Sequence, residues 1–146
     1  MSHTIKFKCQ IGTTDPACPL SMEILFNSTR IYQNSHVTTS ELVEYDIDDD
    51  YQGENVIQWV MSGKTDEHTI INDSGNILKD ALLAIDQISL DDIYATTLVQ
   101  STAIYNHTSN GHGPSIDDKF YGLMGCNGVL TFKFTTPFYV WMLSNM

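Results

Sequence analysis

Hydrophobic and polar residues alternate through much of the chain, which is the pattern of half-buried β-strands. The clearest example is Ile5–Ile11, where Ile5, Phe7, Cys9 and Ile11 alternate with polar residues. Val129–Thr135 alternates as cleanly, with Leu130, Phe132 and Phe134 on one face. Further strands are predicted over the following ranges: Met22–Phe26, Arg30–Gln33, Val37–Ile47, Val56–Met61, Leu82–Ile88 and Ile93–Gln100.

The segments between these strands carry turn and loop signals. Asn27 and Ser28 predict a turn, and Asn106–Ser115 (NHTSNGHGPS) predicts an irregular loop. Two segments allow a second interpretation. Ile77–Ile88 also fits a helical face, although the short, evenly spaced neighbours favour a strand. The tail after Thr136 predicts either a short helix, with Thr136 as N-cap and Pro137 in the first turn, or a buried last strand.

Many short strands separated by turns predict an all-β fold, specifically an antiparallel β-sandwich of the jelly-roll type. No long helical pattern is present to make the crossovers of an open mixed sheet. The chain has 146 residues, which fits a single domain spanning residues 1–146.

Composition and charge narrow the function classes. The chain has 18 acidic and 7 basic residues and a net charge of -11, so we expect neither nucleic acid nor an anionic membrane as a partner. The first residues lack the apolar core of a signal peptide, so we expect cytoplasmic synthesis, with passive release in a virus particle left open. Three cysteines without a CxxC pair argue against a zinc ribbon.

Acidic residues supply the candidate metal ligands. Asp46, Asp48 and Asp50 have the spacing of the start of an EF-hand, but Tyr51 and Ile57 stand where that loop needs glycine and glutamate. The alternatives are a looser calcium site and a solvated acidic loop. Two acidic pairs could hold a cation if their loops meet, and these are Asp91 with Asp92 and Asp117 with Asp118.

The polar loop and the aromatic residues that bracket it form the candidate ligand site. Tyr105 and Tyr121 could stack against sugar rings, with core packing as the alternative. His107 and His112 could instead bind a transition metal with Asp117 or Asp118, although their spacing fixes no geometry. The predicted ligand-binding residues are therefore Tyr105, His107, Asn110, His112 and Tyr121.

No pattern in the chain indicates catalysis. Cys126 lies in a GCNG turn that lacks the glycine and helix of a nucleophile elbow, and phosphate-loop and zincin motifs are absent from the sequence. We therefore expect a protein that is not an enzyme. The apolar run Phe138–Leu143 predicts a homo-oligomer interface.

Three segments resemble β-sandwich carbohydrate-binding modules and small sandwich proteins of marine tailed phages. They are Gly63–Thr69 (GKTDEHT), Asp73–Asp80 (DSGNILKD) and Ile85–Ile93 (IDQISLDDI). The resemblance implies a sandwich fold and a non-catalytic role. Together with the strand pattern, the acidic loops and the polar loop flanked by tyrosines, it leads us to expect a recognition module with a neutral glycan as ligand and calcium as a possible cofactor. The alternative is a structural or assembly protein that forms a homo-oligomer, for example a component of a phage virion.

Overall fold

The computed structural model describes residues 4–15, 20–48, 53–64, 69–71, 73–74, 77–108, 113–135 and 138–145. These residues form thirteen strands and two short helices. The elements in chain order are β1 Thr4–Thr13, β2 Leu20–Phe26, β3 Thr29–Val37, β4 Glu41–Asp48, β5 Glu54–Ser62, β6 Thr69–Ile71, β7 Ile77–Asp80, β8 Leu83–Leu90, β9 Ile93–Tyr94, α1 Thr96–Thr102, β10 Ile104–His107, β11 Ile116–Lys119, β12 Leu123–Met124, β13 Gly128–Thr135 and α2 Phe138–Ser144.

The strands form two antiparallel sheets that pack face to face. The first sheet has the order β12-β8-β1-β4, and β9 also pairs with β8. The second sheet has the order β11-β10-β13-β5-β2-β3, while β6 and β7 form a separate hairpin. The antiparallel β-sandwich predicted from the sequence is confirmed.

The alternating side chains of the sheets fill one core. In β5, Ile57, Trp59 and Met61 are buried, whereas the residues between them are partly exposed. Trp59 meets Phe7 of the opposite sheet with ring centroids 6.1 Å apart. The buried hydrophobic side chains of both sheets belong to a single cluster, and their removal from water is the main force that holds the sandwich together.

The predicted turn at Asn27 and Ser28 is confirmed by its backbone. Both residues have left-handed φ angles, 46° and 70°, which suit the right-handed twist of the hairpin strands. Asn27 also ties this turn to the next strand of the sheet. Its Oδ1 accepts a hydrogen bond from the backbone N–H of Val56 at 2.8 Å, and its Nδ2 donates to Oδ1 of Asn55 at 3.0 Å.

The strand predicted over Ile93–Gln100 is wrong, because only Ile93 and Tyr94 are extended and α1 follows. The β-branched residues of α1 favoured a strand, but tertiary packing overrides that preference. Ala95, Leu98, Val99 and Ala103 are all buried, and their spacing is that of one helical face. Thr96 anchors the start of the helix, because its Oγ1 accepts a hydrogen bond from the Ile88 N–H at 2.8 Å.

The C-terminal segment forms the helix α2, so the helical alternative is confirmed and the last-strand alternative is wrong. Phe138 and Trp141, three residues apart on α2, stack on each other and contact Phe134 edge-on. Val140 and Leu143 point away from this contact and are 48% and 66% exposed. The helix therefore buries one face on the second sheet and leaves the other open. Thr136 and Pro137 lie outside the described residues.

A carboxylate joins the two sheets at one edge of the sandwich. Both oxygens of Glu41, the first residue of β4, accept hydrogen bonds from β3: one from the Tyr32 hydroxyl at 2.6 Å and one from Nδ2 of Asn34 at 3.0 Å. Burial, with a smaller contribution from Glu41, raises the pKa of Tyr32 to about 12. The phenol therefore keeps its proton and remains a donor at neutral pH.

The helices of the sandwich are short. Within the ranges that the structure describes, no helix has the length and apolar character needed to cross a membrane.

Candidate functional site

Tyr105, predicted to stack against a ligand, lies in the core. It is only 5% exposed, and its hydroxyl is occupied by the backbone of Cys126. The hydroxyl accepts a hydrogen bond from the Cys126 N–H at 2.8 Å and donates to the Cys126 carbonyl. Burial raises the pKa of the Tyr105 phenol above its usual range. Its ring is buried and its hydroxyl is hydrogen-bonded within the fold, which indicates a structural role for this residue.

His107 is also buried, which corrects its assignment to an open loop. Asn106 and His107 belong to β10 and not to the predicted loop, and the His107 side chain is 8% exposed. Its ring lies 4.7 Å from that of Tyr105, and its Nε2 lies 3.3 Å from Oδ2 of Asp118 on β11. The interaction fixes the position of Asp118 at the sheet edge.

The two acidic residues of β11 point to opposite faces of the sheet. Asp118 lies on the side of His107, and its pKa is lowered mainly by the hydrogen bond from the Lys119 N–H and secondarily by His107. Asp117 lies on the other side, where its Oδ1 accepts a hydrogen bond from Nδ2 of Asn106 at 2.8 Å. Because adjacent strand residues face opposite ways, the two carboxylates do not converge on one ion.

Asp91 and Asp92 form the turn between β8 and β9. Both have left-handed φ angles, 54° and 64°, a conformation that Asp tolerates better than most residues. Asp92 Oδ1 lies 3.9 Å from Nζ of Lys8 on the outer face of the first sheet. This pair of aspartates therefore has a local role in forming a turn.

The acidic stretch after Glu41 is mostly strand. Asp46 lies directly opposite Lys6 in the β1–β4 ladder, and Glu44 opposite Lys8. Such cross-strand pairs of opposite charge stabilise a sheet, so the bases that balance these acids come from the first strand. Asp48 pairs with Thr4 in the same ladder. Asp50, Asn110 and His112 lie outside the described residues.

Across the parts of the chain that the structure describes, no three His, Cys, Asp or Glu side chains form a group that could hold a metal ion. Asp91, Asp92, Asp117 and Asp118 are all described, and no three of them form such a group.

Among the predicted ligand residues that the structure describes, Tyr121 is the exposed one. It is 74% exposed and follows β11, beside a pocket of about 210 Å³. Helix α1 forms the other wall, because Thr97, Gln100 and Ser101 are spaced i, i+3 and i+4 and so lie on one side of the helix. The lining residues of this Tyr121 pocket are Thr97, Gln100, Ser101, Lys119 and Tyr121.

Lys119 and Gly122 shape the Tyr121 pocket. Nζ of Lys119 lies 5.6 Å from the centre of the Tyr121 ring, within the range of a cation–π interaction. Gly122 has a φ of +103°, and a Cβ at this position would lie 3.4 Å from Nε2 of Gln100. Glycine therefore lets the chain turn directly after Tyr121 while the amide of Gln100 lies close to the backbone.

Sequence reasoning missed the helical half of the pocket, because Ile93–Gln100 was read as a strand. The signal that could have predicted α1 is the spacing of four apolar residues, which is that of one helical face. These residues are Ala95, Leu98, Val99 and Ala103. That spacing leaves Thr97, Gln100 and Ser101 on the outside of a helix, next to the exposed tyrosine.

The two described cysteines differ in burial. Cys9 is fully buried in β1, and burial raises the pKa of its thiol to about 12. Cys126 is half-buried, and its backbone is held by Tyr105.

Comparisons with protein families, with curated proteins and with solved structures find no match for this chain.

Proposed function

We propose that this protein is a non-catalytic recognition module that binds a neutral glycan in the Tyr121 pocket. The observation that carries the proposal is the 74% exposed ring of Tyr121, which stands beside the uncharged polar side chains of Thr97, Gln100 and Ser101 on α1.

These groups match the two chemical faces of a sugar. A pyranose ring presents C–H groups that pack on an aromatic ring, while its hydroxyls need donors and acceptors. The Gln100 amide offers two donors and an acceptor, the hydroxyls of Thr97 and Ser101 can do both, and the Lys119 ammonium donates. A shallow site of this kind, in which the Lys119 ammonium is the charged group among the described lining residues, suits one or two sugar units of a longer chain.

The lining of the Tyr121 pocket also supports a non-catalytic role. Among the lining residues that the structure describes there is no carboxylate, histidine or thiol, and these are common general acids, general bases and nucleophiles. The net charge of -11 disfavours anionic polysaccharides and nucleic acids, which leaves neutral glycans as the best match.

The first test is a glycan array, followed by titration of the best neutral oligosaccharide by calorimetry. Tyr121→Ala should weaken binding by about tenfold or more, because an aromatic ring central to a binding site often contributes upwards of 1.4 kcal/mol. Tyr45→Ala is the matched control, since Tyr45 is a partly exposed tyrosine on β4 that does not line the pocket. An empty array, or equal losses in the two variants, would contradict the proposal.

Calcium binding remains a prediction from the sequence. Its effect on stability can be tested separately from glycan binding in the Tyr121 pocket. A ligand that binds only the folded state raises the melting temperature, so a calcium site in the acidic segment Asp46–Asp50 predicts a higher Tm in calcium than in chelator or magnesium. Because no carboxylate is among the described residues that line the pocket, we expect glycan affinity to be the same in calcium and in chelator. A loss of glycan binding in chelator would show that the sugar is held elsewhere.

A further inference from the structure

Strand β11 forms an open edge of the second sheet. Within the described residues it pairs with β10 alone, and all four of its residues are exposed. Alternate residues of an edge strand direct their backbone N–H and C=O groups away from the sheet, where another strand can pair with them. The β11 edge is therefore open to the addition of an extended peptide.

The other edges of the two packed sheets are tied together or very short in the part of the chain that the structure describes. Strand β3, at the opposite edge of the second sheet, is tied to β4 because Tyr32 and Asn34 both donate to Glu41. Strands β9 and β12, which pair with β8 in the first sheet, have two residues each. An added strand therefore has its longest open edge at β11.

Two carboxylates determine which kind of strand suits this edge. Asp117 and Asp118 are adjacent, so their side chains project from opposite faces of the sheet. Each is held in place by a neighbour on β10: Asp117 Oδ1 accepts a hydrogen bond from Asn106, and Asp118 Oδ2 lies 3.3 Å from Nε2 of His107. The Asp118 side chain is still 54% exposed, so it can contact a further strand.

The alternation of side chains along a strand turns these positions into a recognition rule. Residues directly opposite each other on paired strands face the same side, and opposite charges at such positions stabilise the pairing. The two residues that oppose Asp117 and Asp118 would therefore be consecutive in the added strand, and both would be basic. Ile116 is 43% exposed on the same face as Asp118, so its opposite residue would be apolar.

We propose that β11 binds an extended segment of a basic partner protein by strand addition, and that this segment carries two consecutive lysine or arginine residues opposite Asp117 and Asp118. The net charge of -11 attracts a basic partner. A second copy of this chain is disfavoured, because two β11 strands paired antiparallel about their centres would set Asp117 of each copy opposite Asp118 of the other. Like charges at opposite positions destabilise a sheet.

This strand-addition site goes beyond glycan binding and is separate from it. Lys119, the last residue of β11, borders the Tyr121 pocket, and its N–H already donates to Oδ1 of Asp118 at 2.8 Å. The recognition is therefore assigned to residues 116–118 alone.

The test is a two-dimensional NMR titration of the labelled full chain with the end-blocked peptide TVKKVT. This peptide is symmetric about its lysine pair, so either direction of pairing places both lysines opposite the aspartates and a valine opposite Ile116. The signals of residues 116–118 should shift, and the outward-facing amides of β11 should exchange with deuterium more slowly. Added NaCl should weaken binding, because salt screens exposed charges.

The peptide TKVVKT is the control for charge alone. It has the same composition, but its separated lysines can oppose only one of the two aspartates at a time. It should therefore bind about threefold to fivefold more weakly than TVKKVT. Equal affinity for the two peptides would overturn the proposal, because the attraction would then come from net charge and not from strand register.

The variant Asp117→Lys should weaken the binding of TVKKVT by about tenfold or more, since it replaces an attraction with a repulsion. Asp117→Asn keeps an acceptor for Asn106 and should cause a smaller loss. Glu54→Lys is the matched control, because it makes the same charge change at an exposed residue of β5 in the same sheet, and it should bind like the wild type. Circular dichroism should show that the variants are folded.

Two further results would overturn the proposal: no shift of the β11 signals at millimolar TVKKVT, or equal weakening by Asp117→Lys and Glu54→Lys. Tyr121→Ala should leave peptide binding intact, so glycan binding and strand addition can fail separately.

Discussion

Replacing Gly128 with alanine is expected to destabilise the fold by about 1–3 kcal/mol, the usual range for overpacking a well-packed interior. Gly128 begins β13 and lies opposite His107 in the ladder with β10. A Cβ at this position would collide with the backbone carbonyl oxygen of Asn106 and lie 2.9 Å from Cβ of His107. Neither atom is the end of a flexible side chain, so the two strands would have to move apart.

Urea denaturation measures this effect, and Gly113→Ala is the control. A Cβ on Gly113 meets no atom of the described residues within 4 Å, so this variant should unfold near the wild-type midpoint. The Gly128→Ala midpoint should fall without a change in the slope of the transition, since the surface exposed on unfolding is similar. Equal midpoints for the two variants would show that β10 and β13 are not as close as described.

Replacing Tyr105 with phenylalanine is also expected to cost roughly 1–3 kcal/mol, because a partly buried backbone donor loses its partner. The Tyr105 hydroxyl bonds both the N–H and the carbonyl of Cys126. These two bonds connect β10 to the turn that leads into β13. Phenylalanine keeps the ring and its packing against His107, so the variant isolates the contribution of the hydroxyl.

The same denaturation experiment applies, with Tyr45→Phe as the matched control. Tyr45 is 39% exposed, so water can replace its hydroxyl interactions and we expect little change in stability. If Tyr105→Phe were as stable as the wild type, the hydroxyl would not be holding the Cys126 turn, and the account of Tyr105 as a structural residue would fail.

The strands over Ile5–Ile11 and Val129–Thr135 were predictable because each buries one face, so that apolar and polar residues alternate along it. The exposed strand β11 has no such alternation, and the sequence did not predict it. Helix α1 was not predictable from local preference, because Thr96, Thr97 and Val99 favour strands when considered alone. Its helical form depends on Ala95 and Leu98 meeting the core, which is tertiary information that a local pattern does not carry.

Only part of the candidate site could be predicted from the sequence, as the two tyrosines show. Tyr105 and Tyr121 both flank the polar segment, and the sequence treats them alike. They differ because Tyr105 belongs to β10, where alternation places it with His107 on the buried face. Tyr121 follows the end of β11, beyond the ladder, and remains exposed.

The basic partners of the acidic residues could not be predicted from the local sequence either. The run after Glu41 suggested a cation site, because no lysine or arginine is near it in the sequence. The bases come instead from β1, where Lys6 and Lys8 face Asp46 and Glu44 across the ladder. Glu41 itself joins the two sheets through Tyr32 and Asn34. Only strand pairing reveals these partners.

The most direct test of glycan recognition is a two-dimensional NMR titration of the labelled protein with the best neutral oligosaccharide from the array. If the Tyr121 pocket binds the glycan, the signals of Thr97, Gln100, Ser101 and Tyr121 should shift progressively with ligand, and Tyr121→Ala should move the titration to about tenfold higher ligand concentrations or beyond. Shifts confined to another surface, such as the polar groove around Asn27, Glu54 and Gln58, would contradict the proposed site. An absence of shifts at millimolar ligand would contradict the proposed function.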